Sequence, residues 1–205
     1  MEELAEDLGD AAAAFHLDVL DAAAMQPTFD AVEAWGGRLH GLVNCAAITG
    51  TTGKPSHEID VEDFDQVVRI NLRGAFLLSH TTIPRMLPHG YGRILHVASI
   101  AGKEGNAGMV SYSATKAGLI GMVKAQGKEY AQTGVTVNAL APAVIRTAMV
   151  AAMPEEQVAY MTEKIPMGRC GTLEESSEMI AWIVSPASSF TTAFTFDLSG
   201  GRAVY

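Results

Sequence analysis

Tyr112 and Lys116 stand four residues apart in the run Tyr112-Ser113-Ala114-Thr115-Lys116, at the opening of a segment with helical character, and Ser99 precedes the tyrosine by thirteen residues. On a helix, positions i and i+4 share a face, so the Lys116 ammonium is expected beside the Tyr112 phenol. A phenol with an unperturbed pKa near ~10 moves protons poorly at neutral pH, and a fixed neighbouring cation favours the phenolate and lowers that value. Such a tyrosine can act as a general acid or base. Ser99 follows the apolar run 93–98 and is expected at the end of a buried strand, where its hydroxyl could hold a carbonyl or alcohol oxygen. Tyr-x-x-x-Lys arises often by chance, so the pair alone also fits an ordinary exposed Tyr and Lys.

These side chains need a scaffold, and the chain alternates apolar runs with amphipathic segments, the pattern of strand, helix and strand in a parallel sheet. Strands are expected at residues 14–19, 41–45, 93–99, 135–140 and 195–198. Helices are expected at 1–9, 22–35 (interrupted early by Pro27), 61–87, 111–133, 154–164 and 174–184. Asp60 with Asp63 three residues later approximates a capping box ahead of the 61–87 helix. Gly36-Gly37 reads as a helix C-cap. Asn44, Ser99 and Pro142 each fall at or just after the end of an expected strand, which collects them on the rim where open parallel sheets bind ligands.

Together these segments resemble the short-chain dehydrogenase/reductase family, over nearly the whole chain. Asn71 in Ile70-Asn71-Leu72-Arg73-Gly74 precedes Ser99 by twenty-eight residues, and Asn71, Ser99, Tyr112 and Lys116 match that family's active-site tetrad in order and spacing. Leu42-Val43-Asn44-Cys45-Ala46-Ala47 resembles its Asn-Asn-Ala-Gly element, with Cys45 and Ala47 as departures. Asp18-Val19 resembles the pair that approaches the adenine ring. The stretch 137–147 resembles the Pro-Gly segment along the nicotinamide, with Ala143 in place of the glycine. The resemblance implies a Rossmann-like, doubly wound α/β fold and hydride transfer between NAD or NADP and a small-molecule carbonyl or secondary alcohol.

It also assigns roles. Tyr112 exchanges the proton, Ser99 holds the oxygen, and Lys116 lowers the phenol pKa and binds ribose. Asn71, in a distorted helical turn, holds a water that links Lys116 to solvent. Asp18, Val19, Asn44, Ala46, Pro142, Ile145 and Thr147, with Tyr112 and Lys116, form the cofactor contacts, Thr147 at the carboxamide. The family's opening strand, Gly-rich turn, helix and second strand, roughly forty residues that cradle the pyrophosphate and read the ribose, have no counterpart, so the fold is expected to be N-terminally truncated and dinucleotide binding compromised. The alternatives are a catalytically incompetent relative that folds or oligomerises without dinucleotide, and a module that uses the cleft for another ligand.

At 205 residues with 48% hydrophobic content, the chain suggests one domain spanning 1–205, with residues 147–168 as a substrate lid carrying Met149, Met153, Met161 and Met167. A net charge of -9 argues against nucleic acid. No apolar run reaches the ~18 residues of a membrane span. Cys45 and Cys170 give no disulfide framework, fitting a cytoplasmic protein in which both are expected to be small buried residues. No histidine pair has metal-ligand spacing. Ala114, Ala117, Gly118 and Gly121 would let another helix approach closely, and relatives pair such helices across a two-fold axis, so a homodimer or homotetramer is expected.

Overall fold

Four short apolar runs pair in parallel to form one sheet: β1 (Gly41–Asn44), β2 (Gly92–Val97), β3 (Val135–Pro142) and β4 (Thr195–Leu198). The computed structural model describes residues 2–203 and 205, and the side chains of Glu2, Leu4, Met149 and Gln157 lie outside that description. β2 and β3 are buried along nearly their whole length because both faces are covered, which is why they read as continuous rather than alternating apolar runs. Asn44 lies opposite His96, Val97 opposite Leu140 and Pro142 opposite Leu198, so the carboxyl ends of all four strands open on one rim.

The helices are α1 (Glu2–Leu8), α2 (Ala22–Gly36), α3 (Val61–Val68), α4 (Ala75–Met86), α5 (Ala101–Glu104), α6 (Val110–Glu129), α7 (Ala148–Ala151), α8 (Glu155–Thr162) and α9 (Leu173–Ile183). α4 and α6 cover one sheet face, placing Ile83, Met86, Leu119 and Val123 against Ile94, Val137 and Ala139. α9 covers the other, with Ile183 against Leu95 and Leu140. α2 packs beside α4 through Met25, Phe29 and Leu78, with Leu17 and Val19 against the same cluster. Pro27 lies inside α2, where it lacks the N–H that would bond Ala23 O, and Gly37 (φ 87°) ends the helix by donating to Glu33 O.

The structure corrects several sequence expectations. Residues 14–19 form no strand. The segment is extended into a turn at Asp18, and no described strand lies on the open side of β1 to complete its ladder. The sheet runs in chain order β1-β2-β3-β4, so all connections step the same way and no switch point of a doubly wound sheet occurs among the described residues. The 61–87 helix is two helices joined by a six-residue π turn, Arg69–Gly74, with Asn71 inside it, in line with the distorted turn expected there. Asp60 caps α3 through Glu62 N–H, but Asp63 is drawn away from a capping box to accept Thr51 N–H at 3.0 Å. Cys170 is buried as expected, whereas Cys45 is exposed at the end of β1, a rim rather than a core position.

Candidate active site

Ser99 lies two residues past the end of β2, and its Oγ accepts the Ala101 N–H at 3.1 Å, turning the chain into α5. Gly102, next in α5, lies against the backbone of α6. A Cβ there would stand 2.6 Å from the Lys116 carbonyl carbon, so only glycine permits this seating. That contact presses the Ser99 turn onto the helix carrying Tyr112 and Lys116, and the Ser99 hydroxyl lies near enough to the Tyr112 phenol to lower its pKa. Lys116 is 3% exposed; its Nζ donates to Val97 O at 2.6 Å and sits 5.5 Å from the Tyr112 ring centroid. The trio expected from sequence is therefore assembled.

Asn71 is also buried, but its side chain is committed elsewhere. Its Oδ1 accepts Ile48 N–H at 2.8 Å, and its Nδ2 donates to Ile48 O at 2.8 Å and Thr115 Oγ1 at 3.1 Å. The amide thus ties the loop after β1 to the helix of Lys116, one residue from the lysine. Any water held by Asn71 falls to its backbone, where a π turn leaves groups out of regular pairing.

A second network escaped the sequence reading. Asn44 Oδ1 accepts Ala46 N–H at 3.0 Å, and its Nδ2 donates to His96 Nδ1 at 3.1 Å, while His96 Nε2 meets Ser79 Oγ at 2.8 Å. All three side chains are buried. With Nδ1 accepting, the proton resides on Nε2 and the neutral ring donates to Ser79. Burial, reinforced by the Lys116 charge, depresses the His96 pKa to about 4. His96 belongs to an apolar strand run, and no spacing signals its role; its buried position alone shows it. Gly102, Thr115 and Ser79 were missed for the same reason.

Asn44, Ala46 and Pro142 lie on the same rim as the trio. Ile100 N–H donates to Pro142 O at 3.2 Å and Ala98 N–H to Leu140 O at 2.7 Å, pinning the Ser99 turn to the end of β3. Ile145 bridges in parallel to Gly171. Thr147 serves as N-cap of α7, its Oγ1 accepting Val150 N–H at 3.4 Å. Asp18 Oδ1 accepts the neighbouring Leu20 N–H, and Val19 packs against Gly74 of the π turn that holds Asn71.

The electrostatics differ from the sequence expectation. Tyr112 lies above the ordinary phenol value of 10, because burial outweighs the lowering by Ser99. Burial also pulls Lys116 down to about 8, opposed by the nearby Cys45. Although Cys45 is exposed as a residue, its thiol is sheltered enough for burial to raise its pKa, with Lys116 acting the other way. An ammonium held beneath the tyrosine ring and bonded to a carbonyl does not by itself make the phenol acidic.

The donor set fits one half of a nicotinamide dinucleotide. A phenol and a buried ammonium with donors beyond its one bond suit ribose hydroxyls. No glycine-rich turn among the described residues stands beside β1 to receive a pyrophosphate.

The family model described as enoyl-(acyl carrier protein) reductase matches residues 1–202, and the chain belongs to that family, one of the short-chain dehydrogenase/reductases, with the Rossmann-like parallel sheet they share. It is 47% identical over 189 residues to the 2-dehydro-3-deoxy-L-rhamnonate dehydrogenase (NAD(+)) of Sphingomonas sp., covering 92% of this chain and 76% of the relative. It is 34% identical over 200 residues to the 3-oxoacyl-(acyl-carrier-protein) reductase FabG of Aquifex aeolicus, covering 98% and 80%. A solved actinorhodin polyketide ketoreductase with NADPH superposes with a TM-score of 0.85 at 32% identity, covering 92% of this chain and 76% of that one.

Proposed function

We propose that this chain is an NAD(P)-dependent oxidoreductase that interconverts a carbonyl and a secondary alcohol, with Tyr112 as the general acid/base. The observation that carries the reading is the Ser99 hydroxyl, Tyr112 phenol and Lys116 ammonium held together on one rim by the Gly102 contact. When bound, the nicotinamide supplies or accepts the hydride at the substrate carbon. In reduction, the Tyr112 O–H gives its proton to the carbonyl oxygen while Ser99 donates a hydrogen bond to that oxygen. In oxidation, the phenolate takes the alcohol proton. Lys116 stabilises the phenolate and binds ribose hydroxyls. The Asn71 side chain holds the 44–48 loop against α6, and Asn44, Ala46, Pro142, Ile145 and Thr147 supply cofactor contacts. Residues 147–168 form the substrate lid of the single domain.

The relatives act on a deoxy sugar acid in one case and a 3-oxoacyl carrier conjugate in the other, so the substrate is a small carbonyl or alcohol of one of these classes. A second reading is a protein that folds without holding a dinucleotide. Calorimetric titration with NADH and NADPH separates the two. In parallel, Tyr112→Phe is expected to lower turnover by about 10²–10⁴-fold with cofactor affinity retained. Turnover equal to that of the unaltered chain would refute the role of Tyr112.

A further inference from the structure

A cavity of about 250 Å³ opens between the loop leading into Tyr112 and residues 147–168, its lining including Asn106, Met109, Val144, Met161, Lys164 and Arg202. Its position is defined by chain continuity with the site. Met109 caps the helix three residues before Tyr112, and Val144 follows Pro142 by two residues. Asn106 N–H donates to Ser113 Oγ at 3.1 Å, tying the loop to the first turn of α6.

Two cations face this space in a protein whose net charge is -9. Arg202 is almost covered, its side chain 10% exposed; its Nε and Nη2 hold Glu104 at 3.0 and 2.9 Å, and Nη2 donates to Asn106 Oδ1 at 3.2 Å. Its Nη1 has no hydrogen-bond partner among the described residues and is not sealed from solvent. Lys164 has neither an ion-pair nor a hydrogen-bond partner among the described residues. Glu104 cancels one charge, which leaves one net positive charge, an open guanidinium edge and a free ammonium on the wall.

From this geometry we infer that the substrate carries a carboxylate, seated by Lys164 and the free edge of Arg202, with Met109, Met161 and Val144 against its carbon chain. The inference rests on the oxidoreductase reading of Tyr112 and deepens it by naming the substrate class: a short, polar oxo or hydroxy acid. Three considerations support a small acid over a long acyl chain. The cavity lies below the ~300 Å³ at which drug-sized pockets begin. A fixed guanidinium pays its ordering cost in advance through Glu104 and Asn106, and a carboxylate takes charge-assisted bonds from both cations. A neutral acyl tail would give the exposed Lys164 ammonium no partner.

The test is calorimetric titration of the whole chain, with and without NADH, using gluconate and its uncharged counterpart glucitol as probes, on the unaltered protein and on Lys164→Gln and Lys164→Arg. The expected result is gluconate bound at least about tenfold more tightly than glucitol. Lys164→Gln should erase that preference, Lys164→Arg should keep most of it, and glucitol affinity should change less than twofold. Equal affinity for both probes, no binding of either at millimolar concentration, or a preference that survives Lys164→Gln would each overturn the inference. A carboxylate preference without any hydride-transfer activity would leave a carboxylate site standing and defeat the oxidoreductase reading, whereas activity without the preference would overturn the inference alone, so the two failures are distinguishable.

Discussion

Tyr112 enters the site protonated. Its pKa is raised above 10 by burial, and the supporting ammonium of Lys116 has itself fallen to about 8. On the proposed role of Tyr112, the phenol at neutral pH is therefore better prepared to give a proton to a carbonyl than to accept one from an alcohol. Steady-state rates are expected to show the asymmetry: the oxidation rate climbs close to tenfold per pH unit from about pH 7 to about pH 9, while the reduction rate stays flat or declines as Lys116 loses its charge. An oxidation rate that is level over that window would mean a phenol already acidified by its surroundings. His96 supplies a stability prediction with the sign fixed by its pKa of about 4, below the ordinary 6.5. Between those values the unfolded chain binds the proton and the folded chain does not, so stability falls as pH drops from about 6.5 toward about 4. Replacing His96 with Leu leaves the Asn44 amide and the Ser79 hydroxyl buried without their partner. The expected cost is about 2–4 kcal/mol in chemical denaturation, together with loss of that pH-dependent decline.

At the scale of elements, the site is the product of close approaches between helices and strand ends. α5 is only four residues long, yet its Gly102 brings the Ser99 turn onto α6. Gly102→Ala places a methyl against the Lys116 backbone, which can yield only by moving α5. The expected effect is about 1–3 kcal/mol of destabilisation, with kcat falling further than the melting change alone would explain, because Ser99 is displaced from Tyr112. Unchanged kcat in a folded Gly102→Ala protein would show that this contact does not set the geometry. The π turn Arg69–Gly74 and the Asn71 bonds to Ile48 act alongside, holding the 44–48 loop to the same helix. α9 shows how local sequence alone can fix an element. Thr172 and Glu175 form a full capping box, and Arg169 with the Thr172 backbone N–H lowers Glu175 to about 2. That support is present above the ordinary carboxylate value of 4.5 and is lost as pH falls toward 2.

At the scale of the whole molecule, the sheet has two open sides. Nothing described pairs with the outer side of β1, where Val43 is half-exposed, and β4 is the opposite edge. Beside β4 an aromatic group is left uncovered: Phe194 packs edge-on to Phe196 and Trp182 does likewise, while Phe190 is fully exposed. Of the small residues on α6, Ala114, Ala117 and Gly121 face outward, but Gly118 is covered by Leu72 of the π turn. Open strand edges and contiguous apolar surface drive association. Light scattering is expected to give a dimer or larger assembly at micromolar concentration, and Phe194→Glu is expected to shift it toward monomer. A monodisperse monomer of the unaltered chain would refute the prediction.

The sequence by itself determined the family and which side chains come together on the rim. Tyr112 and Lys116 were legible because a fixed helical spacing puts them on one face, and Ser99, Asn44 and Pro142 because apolar runs end there. The strands β1 to β4 were legible within about two residues because buried parallel strands are continuous apolar runs. Only the tertiary structure decided the rest. Residues 14–19 carry strand character, but a strand exists only when a neighbour completes its hydrogen bonds. Cys45 was expected in the core and lies on the rim, since small apolar type alone does not set depth. Whether Lys116 acidifies Tyr112 depended on burial, which no spacing encodes. The roles of His96, Gly102 and the Lys164–Arg202 chamber depended on contacts between segments distant in the chain, where distance in space, not residue type, defines the partner.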